Sequence, residues 1–238
     1  MDLLNFEVIR DYWQVFLRGL GLTIFLTAIT MVLATFLAIP LALGRLSRNR
    51  FFRWPTNVFV EFMRATPLIL QLLYIYYVLP AAGITLNPLG AAIIGLSLHY
   101  AAYLSEVFRG GIESISKGQT EAALSLGLSR WLAFRKVVLP QATRAVLPTL
   151  ANYLISLFKD TALASVVTVQ ELMFSGQIIA ARNYQYFTVY TVTAILYFAV
   201  CYPSGLAVRW LEEYTRKGFG KPDDKAKTPA AAASGSIA

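Results

Sequence analysis

Three stretches of this chain run uncharged for longer than one membrane helix requires. Residues 19–44 lie between Arg18 and Arg45, residues 183–208 between Arg182 and Arg209, and residues 65–105 between Arg64 and Glu106. About 20 apolar residues in a helix cross the hydrocarbon of a bilayer, so the first two stretches each predict one span. The third is too long for one. Leu79-Pro80-Ala81-Ala82-Gly83 and Asn87-Pro88 interrupt it, which predicts two helices joined by a short turn. A weaker apolar stretch begins near Ala145–Pro148 and runs to about Val169, interrupted by Lys159 and Asp160. The pattern predicts an all-α integral membrane protein with five transmembrane helices, at about 20–43, 57–79, 88–108, 146–169 and 187–209. Membrane β-strands are short and alternate in polarity, so runs this long exclude a barrel.

Composition agrees. The chain is 57% hydrophobic and 14% charged, against about a quarter charged in soluble domains. Its net charge of +8 is unevenly placed. Arg45, Arg48, Arg50 and Arg53 follow the first span. Arg109, Lys117, Arg130, Arg135, Lys136 and Arg144 follow the third. Arg209, Arg216, Lys217, Lys221, Lys225 and Lys227 follow the fifth, so these segments hold sixteen of the 21 basic residues. Basic loops stay in the cytoplasm, which predicts an N-terminus outside and a cytoplasmic C-terminus. The charge reads as topology and not as nucleic-acid binding.

Residues 1–18 read as a periplasmic interfacial segment. Asp2, Glu7 and Asp11 do not fit a cleavable signal, and Trp13, Phe16, Leu17 and Leu20 recur at helical spacing. Residues 212–238, rich in Lys, Asp, Pro and Ala, read as a disordered cytoplasmic tail. One cysteine, Cys201, and one histidine, His99, supply no disulfide and no metal or haem site. No cofactor is expected in this chain.

The loop over residues 110–144 carries the most information. Gly118-Gln119-Thr120-Glu121-Ala122-Ala123-Leu124-Ser125-Leu126-Gly127 is followed by Leu128 to Lys136 and by Val137-Val138-Leu139-Pro140. Two short helices separated by a break are predicted. Ser116 with Gln119 forms a capping box, Gly127 closes the first helix in a left-handed conformation, Ser129 caps the second, and Pro140 stops it. Ala122 and Ala123 give a smooth patch suited to a partner's groove. An amphipathic interfacial loop would account for the Ala and Leu content, but not for this order of caps and breaks.

Glu121-Ala122-Ala123, Gly127, Val137 and Leu139-Pro140 together resemble the signature of ABC importer permeases of the type I fold, with Val137 where that family usually has Ile. Glu106-Val107-Phe108-Arg109-Gly110-Gly111-Ile112-Glu113-Ser114-Ile115 and Leu139-Pro140-Gln141-Ala142 resemble its polar amino-acid (His/Glu/Gln/Arg/opine) branch. So do Arg64-Ala65-Thr66-Pro67-Leu68 and Lys159-Asp160-Thr161-Ala162-Leu163. The resemblance covers about residues 19–211. Ala65, Ser105 and Ala162 stand where that branch more often has Gly, Ala and Ser, and the last change removes a hydroxyl.

The resemblance implies a coupling helix bearing Glu121, Ala122, Ala123, Gly127, Leu139 and Pro140 that docks onto separate ABC ATPase subunits, which use ATP and Mg. It also implies a second permease subunit, identical or homologous, a periplasmic solute-binding protein and a polar amino-acid substrate, in a bacterial inner membrane. The chain has no Gly-x-x-x-x-Gly-Lys-Ser/Thr loop of its own; Thr215 stands where the first glycine before Gly220-Lys221 would be. It is therefore expected to be no enzyme.

Ionisable groups inside spans are costly and face protein or water. Lys159 follows Val146 by 13 residues, about 20 Å along a helix and past the midplane. Asn152, Ser156 and Asp160 recur every four residues as a polar stripe, flanked by Lys159 and followed by Thr161 and Ala162. Either this stripe lines a substrate path or its charges pair with Glu61, Arg64 or Glu106. Arg64, Thr66 and Pro67 sit early in the second span. Pro67 deprives the Met63 carbonyl of its donor, which predicts a kink or local unwinding that either exposes backbone to a ligand or merely bends the helix. Glu61 with Arg64 and Glu106 with Arg109 are each spaced to pair, and His99, Tyr103 and Glu106 share a face. Two other classes remain. One is an ion-coupled secondary transporter of small polar solutes using Lys159, Asp160 and Glu106, and the other is a structural membrane anchor. The loop at 118–140 argues against both.

Overall fold

The computed structural model describes residues 5–216; residues 217–238, most of the predicted tail, lie outside the described residues, as do 1–4. Among the described residues there is helix and turn and no strand. The elements are α1 (Phe6–Leu46), α2 (Arg50–Ala65), α3 (Leu68–Leu73), α4 (Pro88–Glu113), α5 (Lys117–Ser125), α6 (Arg130–Ala133), α7 (Leu139–Asp160), α8 (Leu172–Asn183) and α9 (Tyr186–Arg216). Helices long and apolar enough to cross a membrane are α1, α4, the run Arg130–Val167 and the run Tyr186–Tyr214. The pair Arg50–Ala65 and Leu68–Ala82, bent by 106° where they meet, is long and apolar enough only when taken together, as a broken span or a re-entrant loop. That makes four to five candidate spans among the described residues.

Several expectations change in detail. Residues 6–18 do not form a separate interfacial helix, because α1 runs 41 residues without interruption. Val8 and Phe16 are buried there against Leu172, Ile179 and Val189, so tertiary packing carries the helix beyond its span. At Pro67 the helix unwinds, with Thr66 and Pro67 extended and the two arms bent by 106°. Pro140 does not stop the helix it follows. Its missing N–H and the clash of its ring with the preceding turn are absorbed by a wide π turn over Phe134–Val138, in which Leu139 N–H bonds to the Phe134 carbonyl. Pro80 is met the same way, by a π turn over Tyr74–Val78. The predicted fourth span thus continues the second loop helix from Arg130 and ends in 3-10 turns over Thr161–Val167.

The core is built around α4. Ala91, Ala92, Leu96, Ala101, Ala102 and Leu104 have no exposed surface. Small residues there let α1, with buried Ala34, Ala38 and Ala42, pack closely, which is how membrane helices gain contact without a hydrophobic drive between them. At Gly19 the approach is closer still. A Cβ there would sit 2.7 Å from Ser175 Oγ and 3.0 Å from Leu172 Cα.

Beside that contact lies Glu171, fully buried and the N-cap of α8. Its carboxylate accepts from the N–H of Met173 (2.9 Å) and Phe174 (2.8 Å), and from the hydroxyls of Tyr197 (2.9 Å) and Thr23 (3.4 Å). It thereby ties α8 to α1 and α9. Burial pushes its carboxyl above the ordinary range, and these donors offset only part of that push. Glu171→Ala should lower stability by about 2 kcal/mol, the upper range for a lost cap, read as a lower unfolding temperature in detergent. Because the folded carboxyl titrates high, its contribution is fully present at low pH and is lost as pH rises through the folded value. The stability difference between wild type and Glu171→Gln should therefore shrink as pH is raised from the ordinary carboxylate range.

Candidate functional site: a polar and aromatic wall between α2, α4 and α7

The break after α2 is held by one side chain. Thr66 and Pro67 are extended (ψ 141 and 134), so the Met63 carbonyl has lost its helical donor. Gln71, buried on α3, supplies another. Its Nε2 lies 2.8 Å from the Met63 carbonyl, 3.1 Å from the Thr66 carbonyl and 2.7 Å from Thr66 Oγ1. Gln71 Oε1 in turn faces His99 Nδ1 at 3.1 Å. Of the two readings of the freed backbone, ligand contact or mere bending, the structure favours the second, because its acceptors are engaged within the chain.

Beside Gln71 four rings of α4 and α7 form a closed cluster, in which His99 lies 5.8 Å from Tyr100. His99 lies 5.0 Å from Tyr103, Tyr103 lies 6.1 Å from Tyr153, and Tyr153 lies 6.3 Å from Tyr100. The Arg64 guanidinium sits over Tyr103 at 5.5 Å. At the other end the Tyr100 hydroxyl donates to Asp160 Oδ2 at 2.6 Å. A cation and a carboxylate thus stand at opposite ends of one aromatic wall. The apolar cleft between α1, α7 and α9, about 280 Å³ and lined by Ile24, Thr27, Phe158 and Cys201 among others, offers no such polar groups.

The other sequence candidates are scattered. Asn152 donates to Glu212 of α9 at 3.0 Å, whereas Asp160 faces α4. Eight residues at about 100° each leave the two some 80° apart, so the four-residue spacing does not make one stripe. Ser156 is half-buried between them, Lys159 is exposed, and Ala162 is half-buried. Thr161 is fully buried and its hydroxyl donates to the Phe158 carbonyl at 2.7 Å, which serves the 3-10 turn. Lys159 and Asp160 pair with none of Glu61, Arg64 and Glu106, which belong to a separate network at the Leu46 end of α1. There Glu106 receives Arg45 (2.7 Å), Arg109 (2.7 Å) and Arg64 (3.1 Å). Arg64 reaches Glu61 only at 3.9 Å. Gln71, Tyr100 and Tyr153 were missed in the sequence. The available signal was Gln71 itself, a lone amide in an apolar run.

The loop that follows α4 is ordered much as its caps foretell. Ser129 Oγ accepts from Leu132 N–H at 3.3 Å. Gly127 has φ +81, and its N–H bonds to Leu124 while Leu128 N–H reaches Ala123, closing α5. The reciprocal capping box does not form, because the Gln119 side chain is engaged elsewhere. Its Oε1 accepts from Gln141 Nε2 at 3.4 Å, which ties α5 to the start of α7. The expected patch is also revised. Glu121 and Ala122 are exposed, but Ala123 is buried against its own chain. Leu126 (83% exposed) and Trp131 (67%) are the prominent apolar groups beside it. Leu139 and Pro140 are exposed at the start of α7.

With this geometry described, the comparisons are direct. Residues 31–217 match the family of binding-protein-dependent transport system inner membrane components, and the chain belongs to that family. It is 39% identical to the probable amino-acid ABC transporter permease YckA of Bacillus subtilis, over 83% of this chain and 87% of that protein. It is also 39% identical to the L-cystine transport system permease TcyB of the same organism (85% and 87%). Against the histidine/lysine/arginine/ornithine permease HisM of Salmonella typhimurium the identity is 35% (82% and 91%). Among solved structures, an amino acid ABC transporter crystallised with histidines matches at TM-score 0.83 and 31% identity, over 90% of this chain and 99% of that one. The MetNI methionine transporter, 22% identical at TM-score 0.68 over 84% and 98%, shares the fold.

The Glu106 network makes a graded prediction. Glu106→Gln leaves three guanidinium groups around a neutral side chain and should cost about 3 kcal/mol, as for a broken, largely buried ion pair. Glu61→Gln, whose carboxylate is 64% exposed, should cost under about 1 kcal/mol. Thermal unfolding of both variants in the same detergent checks the order.

Proposed function

We propose that the chain is the permease subunit of an ATP-driven importer of polar amino acids or related small zwitterions in a bacterial inner membrane, with its N-terminus outside. In this reading it works with a second permease subunit, with ABC ATPase subunits that bind ATP and Mg, and with a periplasmic solute-binding protein. The observation that carries it is the capped α5 joined to α7, in a chain whose relatives are named amino-acid ABC permeases.

The mechanical argument is short. An ATPase surface that moves α5 also moves Gln119, and through Gln141 the start of α7. From Leu139 to Asp160 that helix is continuous, about 32 Å at 1.5 Å per residue. Motion at Glu121 and Ala122 therefore reaches the Asp160 end of the aromatic wall through one rigid body. The wall suits a zwitterion, with the Asp160 carboxylate toward its ammonium and the Arg64 guanidinium toward its carboxylate.

Two experiments test this. The complex with its ATPase, reconstituted in vesicles, should take up substrate on ATP in the presence of an uncoupler. Ala122→Arg should keep insertion and assembly while separating ATP hydrolysis from uptake. Abolition of uptake by the uncoupler, with ATP still supplied, would show an ion-coupled carrier instead. For the wall, Asp160→Asn and Lys159→Gln are compared in the same vesicles. Asp160→Asn should raise the half-saturating solute concentration about tenfold, the loss of one charge-assisted contact. Lys159→Gln, exposed and outside the wall, should change it less. Equal, unaltered kinetics in both would remove Asp160 from the solute path.

A further inference from the structure

We propose that Gln71 is the positioning residue that sets the angle of the broken second span, and that His99 of α4 holds it in that role. The inference concerns how Arg64 is presented to the aromatic wall and rests on the reading of that wall as part of the solute path. It begins with donors and acceptors. Pro67 has no N–H, and Thr66 N–H is already spent on the Phe62 carbonyl at 3.2 Å. The Thr66 hydroxyl donates to the same carbonyl at 2.9 Å. Its oxygen is then an acceptor, as are the carbonyls of Met63 and Thr66.

Three acceptors converge on one end of the Gln71 amide, so that end is the NH2 group. The opposite end is the oxygen, and the 3.1 Å approach of His99 Nδ1 requires a proton on that nitrogen. The amide is thus fixed from both sides, by α2 backbone on one and α4 on the other. It links three elements at the point where the chain turns 106°.

Arg64 is two residues before the turn, and its guanidinium rests on Tyr103, which neighbours His99. A change in the turn angle would lift Arg64 from the ring. Packing holds α3 against α4 through Leu68 and Leu72, but apolar contacts are non-directional. Before the turn Arg64 Nη1 ties α2 to α4 through Glu106 at 3.1 Å; on the α3 side the amide supplies the direction.

Spin-label distances in the assembled permease–ATPase complex in lipid test this. Labels are placed at Val58→Cys and Val78→Cys, both exposed, in a Cys201→Ser background, diluted so that each complex carries one labelled copy. The unaltered Gln71 should give one narrow distance. Gln71→Leu should broaden the distribution at least twofold. His99→Phe, which leaves Gln71 in place, should broaden it as well, and His99→Gln, whose amide donates in place of the imidazole, should restore the narrow form. A narrow, unshifted distance in Gln71→Leu overturns the proposal. So does His99→Gln behaving as His99→Phe, and this second pair decides the matter if Gln71→Leu does not assemble. Solute uptake on ATP by the same reconstituted complexes separates the two readings. A distance that responds to Gln71 in complexes that show no ATP-driven uptake keeps the strut and removes the ATP-driven permease.

Discussion

A backbone carbonyl that loses its helical donor inside a membrane must find another within the protein, because no water is there to supply one. The chain meets that constraint in different ways at Pro67, Pro80 and Pro140, whereas Pro40, Pro148 and Pro203 lie within continuous α-helix. At Pro140 a π turn widens the helix and lets it continue, and before Pro80 a π turn leads into a last 3-10 turn that ends at Gly83. At Pro67 the helix opens fully, and Gln71 takes up the acceptors that the turn exposes. These are different outcomes of one physical deficit. Where no side chain stands ready, the helix must stay nearly intact; where a buried amide is available, the chain can turn sharply. The 106° bend is therefore as much a property of Gln71 as of Pro67.

The polar groups fall into two sets with different tasks. Arg45, Glu61, Arg64, Glu106, Arg109 and Glu113 neutralise one another where α1, α2 and α4 meet. With three cations about Glu106, that set is a clamp among helices. Asp160 has no cation within ion-pair distance among the described residues, and its one close partner is the Tyr100 hydroxyl. Arg64 belongs to both sets, since it reaches Glu106 with Nη1 while its plane lies on Tyr103.

Periodicity and charge made the architecture legible, and punctuation made the loop legible. Long uncharged runs marked the spans, and Ser129 and Gly127 marked the ends of the loop helices where they lie. What stayed hidden was set by partners far along the chain. Pro140 reads as a stop because the clash of its ring is local, whereas the π turn that relieves it is not a pattern in residue types. Asn152 and Asp160 read as one face because four-residue steps look like a stripe, although each step drifts about 40° and α7 meets α4 and α9 on different sides. Tyr100 and Tyr153 carry no signal as individual residues. They become a wall only when α4 and α7 are laid side by side, a tertiary fact.

On the proposed reading of α5 as a docking surface and of the aromatic wall as a solute site, coupling between the two has to cross the length of α7. Coupling between distant sites needs elements that move as units and joints where they meet. The units are the helix from Arg130 to Asp160 and the buried α4. The joint at one end is Gln119 with Gln141, a single hydrogen bond at the start of α7; at the other it is Tyr100 with Asp160. Between them α7 packs on α4 through Gly111 and Val146, where no Cβ fits without displacing the valine. That contact leaves α7 little freedom to translate into α4 but none of the directional bonds that would stop it from rotating or sliding along it. At the far end Leu157, Ala164 and Val167 are buried in the core and the Tyr100 hydroxyl holds Asp160. On the proposed reading, a push delivered at α5 therefore reaches the wall by carrying α4 with α7 and not by swinging Asp160 free of it.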